Sequence, residues 1–110
     1  MDELVYTCVS QALWATDSMF DPTIVPYINM AIMELKQLGA IRDAAPNVTP
    51  TSGRWRDYID TEVQRQAVEA YIIMSTMLLF DPPQNAFIVN IYKEKLKEMQ
   101  FRLEVRDDDC

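Results

Sequence analysis

The sequence of 110 residues contains no histidine, only two glycines and only two cysteines. Because histidine is the commonest general base, its absence excludes Ser-His and Cys-His nucleophiles, and it also removes the commonest metal ligand. Gly39 and Gly53 are too few for a glycine-rich phosphate-binding loop. Cys8 and Cys110 are far apart in the chain and indicate free thiols rather than a disulfide framework. We therefore predict that the chain is not an enzyme and has no cofactor or metal site.

Basic residues are also scarce, since 10 Lys and Arg stand against 17 Asp and Glu, for a formal net charge of −7. A protein that grips nucleic acid through its phosphates needs clustered Lys and Arg, so this balance argues against a helix-turn-helix DNA-binding protein. The acidic surplus fits a surface that repels DNA, or one that keeps the chain soluble.

Long apolar runs are missing as well, because the longest is shorter than the roughly 20 residues that span a bilayer. The N-terminus, residues 1–4, carries acids where a signal peptide would carry bases. We expect the chain to act in the cytoplasm where it is made, with no membrane partner. Its length predicts one domain over residues 1–110.

The most apolar stretch covers residues 70–80 and is stopped abruptly by Asp81, Pro82 and Pro83. Proline has no amide donor and clashes with the preceding turn, so no helix passes through this corner uninterrupted. Proline does suit the first turn of a new helix. We predict an apolar helix, a tight helix corner at residues 81–83 and a second helix that folds back, with Asp81 as its cap and Gln84 completing a capping box.

The central helix is apolar on more than one face. Helical spacing assigns its core face to Val63, Ala67, Ala70, Tyr71, Met74, Met77 and Leu78. Ile72, Ile73, Leu79 and Phe80 point elsewhere on the same helix. A helix that is apolar on all sides is buried on all sides, which indicates either a central core helix or an outer face that meets another subunit. The hypothesis for these four residues is a subunit interface.

Two further helices precede this one. The first is predicted over residues 2–14, opened by Asp2. The second is predicted to start at Thr23, because a start at Asp21 would make Pro26 remove a helical hydrogen bond. Its apolar stripe consists of Ile24, Ile28, Ala31, Ile32, Leu35 and Leu38. Gly39 is its natural end.

The remaining segments complete an all-α prediction: a small bundle of about four helices. A long irregular loop is expected at about residues 40–54, and Thr61 and Gln64 supply a capping box for the central helix. The last helix is predicted over residues 82–103, followed by a short flexible acidic tail at about residues 104–110.

Trp55 and Tyr58 lie just before the central helix. One interpretation is that Trp55 and Ile59 close one end of the bundle. The alternative is a partner contact through Trp55 and Tyr58, because Trp, Tyr and Arg are the usual anchors of protein interfaces.

Several short motifs follow one another in a characteristic order. They are Phe20-Asp21, Ile28-Asn29, Leu35, Leu38-Gly39, Trp55-Arg56-Asp57-Tyr58, Leu78-Leu79-Phe80-Asp81-Pro82-Pro83 and Met99-Gln100-Phe101-Arg102-Leu103. In this order and spacing, the chain resembles the head–tail connector (adaptor) proteins of tailed phages from about residue 18 to residue 105. The corner at residues 78–83 and the closing Phe-Arg-Leu at residues 101–103 are its most specific parts, whereas Pro26 departs from the family pattern.

The resemblance implies a virion protein at the head–tail interface, made in the host bacterial cytoplasm. It implies a homo-oligomeric ring, typically twelve-fold, that lies beneath the portal protein, extends the DNA channel and docks the tail or a second connector. DNA would pass without specific binding. The tail segment resembles the part of such connectors that reaches into the portal, and the residues assigned to this docking tail are Glu104, Val105, Arg106, Asp107 and Asp108.

Alternative functions remain open on the residues alone. Acidity, small size and absent catalytic motifs equally fit an acidic helical regulator, of the antitoxin or inhibitor type, that binds a basic protein. Seven methionines would also suit a carrier of an apolar ligand. The Asp-Pro-Pro corner and the apolar central helix favour the connector.

Overall fold

Four α-helices form the fold in a computed structural model, which describes residues 1–108 and, from residue 104 onward, the backbone alone. The helices are α1 (Val5–Ala12), α2 (Asp21–Gln37), α3 (Glu62–Phe80) and α4 (Ala86–Asp108), with short 3₁₀ helices at Ser18–Phe20 and Trp55–Asp57. In that range β-structure is limited to isolated bridges. The predicted all-α class is confirmed, and the molecule is flat, with extents of 39 × 35 × 20 Å.

The N-terminal residues lie alongside the segment that precedes α3. The Val5 amide donates to the Gly53 carbonyl at 2.9 Å, and the Trp55 amide donates to the Glu3 carbonyl at 3.2 Å. Residues 1–4 are therefore held outside the helix by this pairing. For that reason α1 begins at Val5, and the predicted start at Asp2 is wrong.

Helix α2 begins at Asp21, so the predicted cap at Thr23 is wrong and Pro26 lies inside the helix. Pro26 leaves the carbonyl of Pro22 without its helical partner, at a cost of up to about 3 kcal/mol. Burial of the predicted stripe offsets that cost, since Ile24, Ile28, Ala31, Ile32 and Leu35 are all buried. Gly39 follows the helix with φ of 76°, as expected for a C-terminal stop.

The predicted irregular loop is present, but it is anchored to α2. The Asn29 side chain accepts from the Val48 amide at 2.7 Å and donates to the Val48 carbonyl at 3.0 Å. The Lys36 ammonium donates to the Ala45 carbonyl at 2.6 Å. Because Val48 and Ala45 are also buried, the loop forms one wall of the core.

Helix α3 starts with the predicted capping box. Thr61 Oγ1 accepts from the Gln64 amide at 3.2 Å, and Gln64 Oε1 accepts from the Thr61 amide at 3.1 Å. The predicted core face is right only in part: Tyr71 is buried and Ala67 packs against the core, but Val63 is 68% exposed and Ala70 is also exposed. The buried face consists of Val68, Tyr71, Ile72 and Thr76.

The corner at Asp81, Pro82 and Pro83 separates α3 from α4, and the fold-back of α4 is confirmed: Gln100 donates to the Tyr71 hydroxyl at 2.7 Å. Asp81 does not cap α4 as predicted, because its amide donates to the Met77 carbonyl at 2.8 Å and so ends α3. Instead, Asn85 Oδ1 accepts from the Phe87 amide at 2.8 Å. The corner is therefore longer than predicted.

The end of α4 also differs from the prediction. The helical backbone continues to Asp108, where a flexible tail was expected from about residue 104. The side chains of the predicted docking tail, residues 104–108, and the whole of residues 109–110 lie outside the described part of the chain. The docking role of that tail stays a prediction.

Candidate interaction surfaces

Four exposed apolar side chains lie on either side of the corner, one on the last turn of α3 and three on the first turns of α4. We call them the corner surface: Leu79 (46% exposed), Phe87 (71%), Ile88 (37%) and Ile91 (43%). The three members on α4 lie within one helical turn of each other, so they form one patch. Soluble monomers rarely expose large contiguous apolar patches, so the corner surface is a candidate interaction site.

The predicted subunit interface is only partly at the surface. Ile72 is fully buried in the core, which corrects its assignment to an outer face. Ile73 and Phe80 are half-buried against the core, and the Phe80 ring contacts the Phe20 ring edge to face, with centroids 5.5 Å apart. Of the four residues, Leu79 alone is exposed. The reason is the orientation of α3 about its own axis, which turns Ile72 towards the core and leaves Leu79 at the surface.

Trp55 and Tyr58 are both buried, which is against their hypothesised role as a partner contact. The Trp55 indole N–H points to Cys8 Sγ at 3.4 Å, and the Tyr58 hydroxyl donates to the Pro46 carbonyl at 2.9 Å. Gly53, with φ of 92°, leaves room for the Tyr58 hydroxyl, which a Cβ there would meet at 2.7 Å. Burial of Trp55 and of Ile59, which is 2% exposed, favours the first interpretation, in which Trp55 and Ile59 belong to the bundle.

Arg65 fastens the N-terminal segment to α3. Its guanidinium lies 5.5 Å from the Trp55 ring centroid and pairs with Glu3 at 3.3 Å, Glu62 at 3.2 Å and Glu69 at 3.2 Å. The side chain is 15% exposed. Because three carboxylates surround this cation, Arg65 adds no basic patch to an acidic surface.

Two tyrosine hydroxyls are held in their protonated form. The Tyr6 hydroxyl donates to the Asp21 carboxylate, and this bond, together with burial and the charge of Asp21, raises the pKa of Tyr6 to about 12. Burial, with a smaller contribution from the charge of Asp57, raises the pKa of Tyr58 to about 12. Both hydroxyls therefore bind their proton more tightly in the folded chain than in the unfolded chain.

The free energy of unfolding should consequently fall as the pH rises from about 10 to about 12. Above about pH 10 the unfolded chain loses these two protons, whereas the folded chain keeps them until about pH 12. The stabilisation from the two hydroxyls is therefore complete below pH 10 and is lost between about pH 10 and pH 12. Urea unfolding at a series of alkaline pH values measures the loss. In Tyr6→Phe the loss should be smaller, and an unchanged stability up to pH 12 would contradict these shifts.

Trp14 occupies a position that normally belongs to glycine. The Ala15 amide donates to the Ser10 carbonyl at 2.9 Å and the Trp14 amide to the Gln11 carbonyl at 3.2 Å, which is the Schellman pattern that ends α1. Trp14 takes the left-handed conformation of that motif, with φ of 58°. Its side chain is 92% exposed, so no packing within the chain offsets the strain.

Replacement of Trp14 by glycine is expected to stabilise the chain. A non-glycine residue in the left-handed region costs roughly 1–2 kcal/mol, and Trp14→Gly removes this cost without opening a cavity. Glycine also has more conformational freedom in the unfolded chain, which reduces the net increase in stability. Urea unfolding should show the increase. Trp14→Ala, which keeps the strained conformation, is the control and should change stability by no more than about 0.5 kcal/mol.

Helix α2 carries two exposed methionines on its outward side, where a surface helix usually has polar residues. Met30 is 52% exposed and Met33 is 60% exposed. They border a groove of about 220 Å³ between α2 and the loop, which we call the methionine groove; its lining is Pro26, Asn29, Met30, Ile32, Met33, Lys36 and Asn47. It contains no carboxylate and one ammonium group, that of Lys36.

Within residues 1–108, no group of three or more His, Cys, Asp or Glu side chains that could hold a metal ion was found among those described. No described helix is both long enough and apolar enough to cross a membrane.

Sequence reasoning missed several of the residues that form these surfaces. The sequence assigns Phe87 to no surface, because a phenylalanine in a helix usually belongs to the core. Trp14 could have been noticed as a large residue immediately after a helix, where glycine is usual. The exposure of Met30 and Met33 had no local signal, because methionine is common in cores.

Comparison with known protein families gives one match. A family model described as phage connector protein matches residues 10–109. No curated protein and no solved structure gives a significant match to the chain. The family match includes Trp14, the methionine groove and the corner surface.

Proposed function

Because the chain belongs to the phage connector protein family, we propose that it assembles as a homo-oligomeric ring beneath the portal. Membership makes it a structural protein of the virion that works with portal or tail proteins. The proposed ring, typically of twelve subunits in connectors, extends the DNA channel and docks the tail or a second connector. The observation that carries the proposal is the family match over residues 10–109.

The corner surface supports the subunit contact in this proposal. Phe87, Ile88 and Ile91 project from the first turns of α4, and Leu79 projects from the last turn of α3. Burial of such side chains contributes about 25 cal/mol per Å² of apolar surface removed from water. A neighbouring subunit would cover this surface, with Leu79 retained from the predicted interface and Phe87 added to it.

The distribution of charge supports the same contact. Lys93, Lys95 and Lys97, three of the four lysines of the chain, follow the corner surface along α4. The rest of the chain carries the acidic surplus that gives the net charge of −7. Residues 93–97 carry three lysines and one glutamate, so packing of this segment on an acidic neighbour is electrostatically favourable. Acidic groups on the surface that lines the channel of the proposed ring would repel the DNA phosphates, so DNA would pass without binding.

The ring proposal predicts that Phe87→Ser abolishes assembly without unfolding the chain. The side chain is 71% exposed, so its loss should change stability by no more than about 0.5 kcal/mol. Phe101→Ser is the matched control, because Phe101 is 67% exposed near the other end of the same helix. Each variant is mixed with the portal of the same phage and analysed by sedimentation. Wild type and Phe101→Ser should co-sediment with the portal, whereas Phe87→Ser should not.

Sedimentation of the portal alone in the presence of wild-type chain would contradict the proposal. Deletion of residues 105–110 tests the docking tail separately, because unchanged portal binding would remove the tail from the contact while leaving the ring in place. The acidic regulator, the rival function, has no support from the family match. The acidic-regulator hypothesis would be favoured if the wild-type chain bound a basic protein but did not bind the portal.

A further inference from the structure

Two exposed features of this chain have no function within a single copy: the strained, exposed Trp14 and the methionine groove on α2. We propose that Trp14 of one copy inserts into the methionine groove of the neighbouring copy. The inference rests on the proposed ring, because it assigns a specific contact between the subunits that the ring would join.

The conformation of Trp14 is the first step of the argument. A bulky residue with φ of 58° is costly, and the Schellman hydrogen bonds around it would form at lower cost with glycine. The side chain is 92% exposed, so the chain gains nothing from it in packing. Strain of this kind, without local compensation, points to a contact made outside the single chain.

The size and chemistry of the groove suit an indole ring. A volume of about 220 Å³ is below the roughly 300 Å³ at which pockets for drug-sized ligands begin, and it fits one large side chain. The sulfur atoms of Met30 and Met33 make favourable contacts with aromatic rings, worth about 0.3–1.5 kcal/mol each. Asn47, also in the lining, carries an amide oxygen that can accept a hydrogen bond from the indole N–H.

The charges beside the two features are complementary. Asp17, three residues after Trp14, is exposed, and residues 13–21 contain no Lys or Arg. On the groove side, Lys36 lies three residues after Met33 on α2 and has no carboxylate near it in the lining. Its ammonium has three donors, one of which is used by the Ala45 carbonyl at 2.6 Å. Trp14 in the groove would thus bring Asp17 towards the remaining donors of Lys36.

The geometry of the contact makes it heterologous, since a projecting residue of one copy meets a recess on a different surface of the next. Heterologous contacts generate rings when the rotation closes. The contact is also small, because a tryptophan and its recess together bury on the order of 300–500 Å², which is below the roughly 1,000 Å² of a stable interface. The contact between Trp14 and the groove is therefore too small to hold two subunits together by itself. It would fix how the subunits align, while the corner surface provides the wider contact.

Chemical cross-linking tests the proposal while both partners of the contact stay intact. In a Cys8→Ser, Cys110→Ser background, Thr16→Cys and Gln37→Cys place one thiol beside Trp14 and one beside Met33, both at exposed positions. A short bismaleimide should then link residue 16 of one copy to residue 37 of the next and produce a ladder of covalent oligomers. Gln66→Cys in place of Gln37→Cys, also exposed but on α3, is the matched control and should give no ladder.

Removal of the indole completes the test. Trp14→Ala in the cross-linking background should reduce the yield of the ladder by about tenfold or more, as expected for a hot-spot residue. Rings seen by imaging together with no 16-to-37 link above the control would overturn this inference and leave the ring proposal intact. Products that stop at a dimer would contradict the ring proposal itself. An unchanged ladder in Trp14→Ala would show that the copies are adjacent but that Trp14 is not the contact, and would also overturn the inference.

Discussion

Trp55→Ala is expected to destabilise the chain by about 3–5 kcal/mol, because it removes a large, fully buried side chain. The side chain is fully buried, its ring lies against the Arg65 guanidinium at 5.5 Å, and its N–H points to Cys8 Sγ. The substitution leaves a cavity and also removes the surface that supports Arg65. Because small domains are stable by only about 5–15 kcal/mol, this loss is a large fraction of the free energy of unfolding.

Urea unfolding of Trp55→Ala and Trp14→Ala provides the comparison. The two substitutions remove the same side chain, but Trp14 is 92% exposed and Trp55 is not exposed at all. Trp14→Ala should lie within about 0.5 kcal/mol of the wild type. Similar losses in both variants would mean that the assignment of Trp55 to the core is wrong.

Ile72→Ala is expected to destabilise the chain by about 2–5 kcal/mol, in contrast to the surface role first assigned to that residue. Ile72 is fully buried on the face of α3 that packs against the rest of the bundle, whereas Leu79 on the same helix is 46% exposed. Leu79→Ala should therefore cost little stability and act on assembly instead. The two variants separate the core from the interface along one helix.

Thermal unfolding followed by circular dichroism measures both stabilities, and sedimentation with the portal measures assembly. Ile72→Ala should lower the melting temperature strongly, while Leu79→Ala should melt close to the wild type and bind the portal more weakly. A stable Ile72→Ala variant that fails to assemble would restore Ile72 to the interface.

The parts of the fold that depend on local chemistry were predictable from the sequence. Thr61 and Gln64 mark the start of α3, Gly39 follows the end of α2, and Pro82 and Pro83 separate α3 from α4. Each signal acts through a backbone group within a few residues, so no knowledge of tertiary packing is needed. The loop at residues 40–54 was predictable for the same reason. Its anchoring to α2 through Asn29 was not, because that contact joins residues far apart in the sequence.

The rotation of α3 could not be predicted in this way. Ile72 and Val63 are both apolar, and only the packing of α2 against α3 decides that Ile72 is buried and Val63 is exposed. The start of α2 at Asp21 is a similar case, because burial of its apolar stripe outweighs the hydrogen bond that Pro26 removes. The candidate surfaces were missed for a related reason: an exposed Phe87 or Met33 looks like a core residue until the fold is known.

The measurement that tests the central claim most directly is electron microscopy of the purified chain mixed with the portal ring of its phage. The account predicts an added collar with the rotational symmetry of the portal, located at one end of the portal channel. Bare portals at high concentrations of the chain would contradict it, and the acidic regulator would then become the leading hypothesis.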